Sequence, residues 1–74
     1  MDNNSTEFIM RDLMNKRVKI LNSNNAEISG VLKSVDGYLN CVLEDAEFKG
    51  MRMKDAFVRG MQVKSIFRDK GDVE

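Results

Sequence analysis

The chain has 74 residues, with 12 basic and 12 acidic side chains, no histidine, no proline and a single cysteine. That length allows one domain, and one cysteine excludes an internal disulfide. The cancelling charge argues against a broad basic face that grips duplex nucleic acid, so no DNA partner is expected, while a local pocket reading a few bases stays open.

A domain this small is marginal on its own and usually gains a disulfide, a metal or an oligomeric partner. Without histidine, and with only Cys41, a structural zinc site lacks good ligands, so no metal and no cofactor is expected. Oligomerisation remains as the stabilising device. No apolar run is long enough to span a bilayer, and no charged segment leads into an apolar signal core, so no membrane partner is expected. The lone thiol fits a reducing compartment, cytosol or nucleus.

In chain order, Met1 to Asn4 is polar and reads as a frayed end. Asn4 or Ser5 can cap a helix, with Glu7 three residues after Asn4. Phe8, Ile9, Leu13 and Met14 make one apolar stripe, and Asn15-Lys16 is a stop. So short a helix must lie on something apolar. The period then changes to two. Arg17 to Leu21 alternates Val18 and Ile20 with Arg17 and Lys19, and Asn22-Ser23-Asn24-Asn25 is a turn. Ala26 to Val35 reads as a long strand, with Ile28 and Leu32 on one face and Val31 and Val35 on the other. Gly30 within it predicts a bend, a bulge or a close backbone approach.

Asp36-Gly37 is a hairpin signal. The third strand is expected from Tyr38 or Leu39, with Leu39, Cys41 and Leu43 sharing a face. Glu44 to Lys54 is charged and holds a loop around Gly50, with strands free to extend into both ends. Asp55 to Val58 is a short strand, Arg59-Gly60 a tight connection, and Met61 to Phe67 the last strand. In that strand Met61, Val63, Ser65 and Phe67 are expected to alternate with Gln62, Lys64 and Ile66. Residues 68–74 form a charged tail. The sum is a mostly β domain: one N-terminal helix, then a five-stranded, strongly bent antiparallel open barrel. Such a barrel leaves two strand edges unpaired, and the Phe57 strand and the final strand are the candidates.

No enzyme is expected. Without histidine no Ser-His or Cys-His pair exists, and the glycines lack phosphate-loop spacing. Tyr38 and Asn40 are two apart at a hairpin mouth, a spacing that sets them on one face of an extended strand. Singly, each reads as an ordinary turn or strand residue. Together they offer a ring on which a base stacks and an amide that matches a base edge. Arg59-Gly60 reads either as a solvated turn or as a guanidinium packed on the other side of that base, with Gly60 supplying an unusual backbone conformation. The spacing alone leaves both readings open.

On these residues the chain resembles the Sm and Sm-like (LSm) proteins. The family's first motif asks for a strand glycine, an apolar residue two later, then Asp-x-aromatic-Met-Asn. Here those are Gly30, Leu32, Asp36, Tyr38, Leu39 and Asn40, with Leu39 where methionine is usual. The second motif asks for an apolar residue, Arg-Gly, and an apolar residue three after the glycine, met by Val58, Arg59, Gly60 and Val63. The resemblance runs from Glu7 to Phe67, with the domain expected over residues 5–67. It implies the SH3-like Sm fold and a heteroheptameric ring in which the fourth strand of one subunit pairs with the fifth of the next. It also implies a base pocket for single-stranded U-rich RNA. Tyr38 would stack, Asn40 bond the base edge, Arg59 cover the opposite side, Gly60 shape the loop, and Asp36 orient Asn40 or the turn. Family roles would be binding of the U6 snRNA end in the nucleus and mRNA decapping and decay in the cytoplasm. The rivals are a homomeric archaeal-type ring binding oligouridine and a barrel that takes peptides on a sheet edge.

Overall fold

A computed structural model describes residues 10–69. Within them, five strands form one sheet: β1 (Arg17–Asn22), β2 (Glu27–Val35), β3 (Cys41–Phe48), β4 (Met51–Val58) and β5 (Val63–Arg68). The order is β4-β3-β2-β1-β5, every neighbouring pair is antiparallel, and β4 and β5 are the open edges, as the sequence predicts. The sheet bends around Val18, Ile20, Leu32, Cys41, Leu43, Ala46 and Val58, all buried.

The helix is expected from Asn4 to Asn15, and its first half lies outside the described residues. What is described is a single 3-10 turn, Arg11–Leu13. Leu13 and Met14 still pack on the core, as their stripe predicts. Asn15 ends the turn at φ 62, and its N–H bonds the Leu32 carbonyl at 2.7 Å, which ties this segment to β2. The Asn22–Asn25 turn forms because the Asn22 side-chain oxygen accepts the N–H groups of Asn24 and Ala26, while Asn25 takes φ 64. Of the charged tail, Arg68 belongs to β5, and residues 70–74 lie outside the description.

Gly30 meets its expectation. Residues Ser29 and Val31 pair with Glu47 and Glu44, so one residue of β2 faces two of β3, a bulge at Asp45-Ala46 with Asp45 at φ 52. A Cβ on Gly30 would sit 3.0 Å from the Leu43 Cβ and 3.1 Å from the Ala46 Cα. The bulge also slips the alternation of β3, which is why Leu43 and Ala46, three apart, both face inward. The loop expected within Glu44–Lys54 is only Lys49-Gly50, at φ 52 and 81. Two central residues with φ > 0 make a tight hairpin whose twist matches the strands, so β3 and β4 run nearly to it.

Two expectations need correction. The last strand starts at Val63, because Gly60–Gln62 form a 3-10 turn. Its alternation also differs: Asn22 pairs with Val63 and Leu21 with Ser65, leaving Lys64 as an extra residue. Val63 and Ile66 therefore pack on the core, while Met61 and Phe67 are exposed.

Candidate nucleic-acid interface

Two loops meet at one end of the sheet. The first, residues 36–40, joins β2 to β3; the second, residues 59–62, joins β4 to β5. Asp36 organises the first. Its Oδ1 accepts the N–H groups of Tyr38 (2.8 Å) and Asn40 (3.0 Å), and its Oδ2 accepts from Asn40 Nδ2 (3.0 Å). These bonds, the Asn40 side chain's first, hold the carboxyl below its usual range, because each favours the charged form. Leu39 crosses the loop at φ 66, with its N–H on the Asp36 carbonyl at 3.0 Å.

That φ corrects the account of Tyr38 and Asn40. The third strand begins at Cys41, not at Tyr38 or Leu39, so period-two alternation does not relate the two side chains. The Asp36 carboxylate and the left-handed Leu39 set them instead. Tyr38 points outward with 76% of its surface exposed.

Asn40 joins the loops. Its Oδ1 accepts the Gly60 N–H at 2.7 Å, across 20 residues of sequence. The amide orientation follows from its partners, since the oxygen must face an N–H and the nitrogen a carboxylate. One Nδ2–H and one Oδ1 lone pair remain for another molecule. Gly60 is required for a different reason from the one its sequence context suggests. Its φ is not in the left-handed region; a Cβ there would overlap the Tyr38 carbonyl and crowd Leu39. The glycine lets two backbones touch.

Arg59, in extended conformation before the 3-10 turn, is exposed, and no carboxylate of the described residues pairs with it. Tyr38, Asn40, Arg59 and Gly60 line one open groove of about 590 Å³, together with Phe57 and Met61. Asp36 stands behind it. The sequence reading missed Phe57 and Met61, which are 63% and 85% exposed. Phe57 was legible: on an edge strand it alternates with the inward-facing Ala56 and Val58.

The groove holds a planar cation, an aromatic ring, two further apolar side chains and a half-used amide. That set can clasp a flat, polar-edged ring between Tyr38 and Arg59. No serine, threonine, cysteine or lysine lines the groove. Cys41 is fully buried, and burial, with the Asp36 charge added, pushes its thiol up to about 11. Among the described residues no three His, Cys, Asp or Glu side chains gather to hold a metal ion.

Residues 9–67 match the LSM domain. The LSM complex subunit lsm6 of Schizosaccharomyces pombe is 35% identical over 68 residues, which covers 85% of this chain and 89% of that protein. The U6 snRNA-associated Sm-like protein LSm6 of Sclerotinia sclerotiorum is 38% identical over 65 residues, 81% of this chain and 76% of its own. Both bear the name of the sixth Sm-like subunit, the one that Asp36-Gly37-Tyr38 and Asp55 to Gly60 resemble. The fold is similar to the SmAP1 heptamer of P. aerophilum, with TM-score 0.81 and 31% identity over 90% of this chain and 96% of that one. It is also similar to the Pyrococcus abyssii Sm protein in complex with a uridine heptamer, with TM-score 0.75 and 28% identity over 84% of this chain and 94% of that one. With its domain match, its relatives and its fold in agreement, this chain belongs to the LSM family of Sm-like proteins.

Proposed function

We propose that this chain is a non-catalytic, RNA-binding subunit of a heteroheptameric Sm-like ring that holds one base of a single-stranded, U-rich RNA. The observation that carries the proposal is the convergence of Tyr38, Asn40 and Arg59 on one groove through the Asn40–Gly60 bond. Tyr38 stacks on the base, and Arg59 covers its other face. The remaining Nδ2–H and Oδ1 lone pair of Asn40 suit an acceptor–donor edge such as O4 and N3–H of uracil. Asp36 and Gly60 position these groups. The open edges of β4 and β5 pair with neighbouring subunits, which extends the sheet around the ring.

The RNA assignment draws on the S. sclerotiorum relative, named as U6 snRNA-associated, and on the P. abyssii protein, held with a uridine heptamer. The setting we propose is the nuclear U6 particle in pre-mRNA splicing, with a cytoplasmic ring acting in mRNA decapping and decay. Neutral net charge is compatible with this, because affinity comes from repeated weak pockets. The test is oligouridine binding by the ring reconstituted with its own-source subunits. Tyr38→Ala with Arg59→Ala removes stacking worth about 1–3 kcal/mol per base. Affinity should fall at least several-fold while native mass spectrometry still finds the intact ring. Unchanged affinity would refute the pocket.

A further inference from the structure

Met61 has a fixed place in the structure but no packing role. It is the middle residue of the Gly60–Gln62 turn, and its backbone neighbours are pinned on both sides. The Gly60 N–H donates to Asn40 Oδ1, the Gln62 N–H donates to the Arg59 carbonyl at 3.0 Å, and the Gln62 carbonyl accepts the Ser23 N–H at 2.9 Å. The Met61 side chain itself is 85% exposed and is not among those that pack on the core. What it borders is the groove, which it lines with Tyr38 and Arg59.

The other described methionines are placed differently. Met10, Met14 and Met53 are half-buried, and the last two pack on the core. Met51 is 67% exposed, but it starts β4, at the opposite end of that strand from the groove residue Phe57. Among the described methionines, only Met61 is both open to solvent and part of the groove. The chain's single thiol, Cys41, is fully buried. A small oxidant that enters the groove therefore meets a thioether.

We infer that Met61 is a reversible oxidation site, through which a peroxide weakens the groove's hold on a base. The sulfur lone pair attacks one oxygen of hydrogen peroxide, the O–O bond breaks, and the other oxygen leaves as water with both protons. The peroxide is reduced and the thioether becomes a sulfoxide. A flexible apolar group is thereby turned into a polar one with an acceptor oxygen. Two residues earlier, Arg59 is exposed, with no carboxylate partner among the described residues. The sulfoxide oxygen accepts a hydrogen bond from that guanidinium and draws it off the face of the base. The apolar contact of the thioether with the base is lost at the same time. Sulfoxide reductases restore the thioether. This rests on the base-holding reading above and adds a modification that regulates it. A groove open enough to admit a nucleotide admits a peroxide.

The test uses the ring reconstituted with its own-source subunits, carrying the native chain, Met61→Leu or Met51→Leu, with native mass spectrometry to confirm assembly. Each ring is treated with hydrogen peroxide, and peptide mapping reports the sulfoxide at every methionine of this chain. Oligouridine affinity is measured before peroxide, after it, and after a methionine sulfoxide reductase, so that each ring is its own reference. Met61 should oxidise at least as fast as Met51 and ahead of Met14 and Met53. Bound oligouridine should slow oxidation at Met61 and leave Met51 unchanged. Peroxide should weaken the native and Met51→Leu rings about threefold to tenfold more than the Met61→Leu ring, and the reductase should reverse the difference. An equal loss in the Met61→Leu ring, conversion of Met61 without loss in the native ring, or a Met61 that stays reduced while Met51 oxidises overturns the inference. The ring with Tyr38→Ala and Arg59→Ala separates it from the reading beneath it. If that ring binds oligouridine like the native one, the reading fails and the inference with it. If that ring binds weakly while oxidation of Met61 changes nothing, the inference alone fails.

Discussion

Replacing Gly60 by alanine tests how the groove is built. The added methyl group would overlap the Tyr38 carbonyl and press on Leu39, both backbone, so no side-chain rotation relieves it. The two loops must separate. Separation breaks the Gly60 N–H bond to Asn40 Oδ1, worth about 1 kcal/mol net, and forcing extra volume into a packed site costs about 1–3 kcal/mol more. A loss of about 2–4 kcal/mol is large against the 5–15 kcal/mol of a typical domain and lowers Tm by about 8–32 °C. Circular-dichroism melting of the isolated chain measures it, and oligouridine binding by the ring measures the damage to the groove. Gly50 is the control. It needs its glycine for φ 81, with nothing within 4 Å of a Cβ, so Gly50→Asn should cost little because asparagine tolerates that region. If Gly60→Ala melts and binds like the native chain, the close contact between the loops does not hold the groove together.

Two further outcomes follow from the same geometry. The carboxyl of Asp36 is lowered by bonds that exist only in the folded loop, so the order it confers is present above its unfolded value, near 3.8, and is lost as pH falls through the lower folded value. Amide signals of Tyr38 and Asn40 should therefore shift only in acid, below about pH 4, and Asp36→Asn should abolish that titration; a transition at neutral pH would refute the assignment. Cys41, buried with its thiol near 11, should resist a thiol reagent at pH 8 until the chain unfolds, and Cys41→Ser should cost about 1–3 kcal/mol by placing a hydroxyl in the core. Rapid labelling of the native chain would contradict the burial.

The sheet was legible because its cues are local. Alternation marked β1 and β2, and Gly30 announced its bulge. The short amides of the 22–25 turn and the lone Phe57 strand placed a turn and an edge. What escaped was set by tertiary contact. The extra Lys64 shifts the face of β5 by one residue, and no glycine betrays it. Gly50 marked a loop within Glu44–Lys54, but the charges around it left open how far the strands run, and the positive φ of Lys49 that closes the turn had no glycine to mark it. Within the groove, Tyr38, Asn40, Arg59 and Gly60 were read from a motif whose geometric cause differs from the one inferred. Alternation does not place Tyr38 and Asn40; the Asp36 carboxylate does. Conformational freedom does not explain Gly60; the Tyr38 backbone does. Met61 was assigned to strand alternation and so was missed as a groove wall.

Photocrosslinking of a 4-thiouridine oligonucleotide to the reconstituted ring, with the adducts on this chain mapped by mass spectrometry, reports whether the groove holds a base. Adducts should fall on Tyr38 and on the segment around Arg59, and unlabelled oligouridine should compete them away. Adducts confined to other segments of this chain, with Tyr38 and the Arg59 segment unmarked, would contradict a base held in this groove.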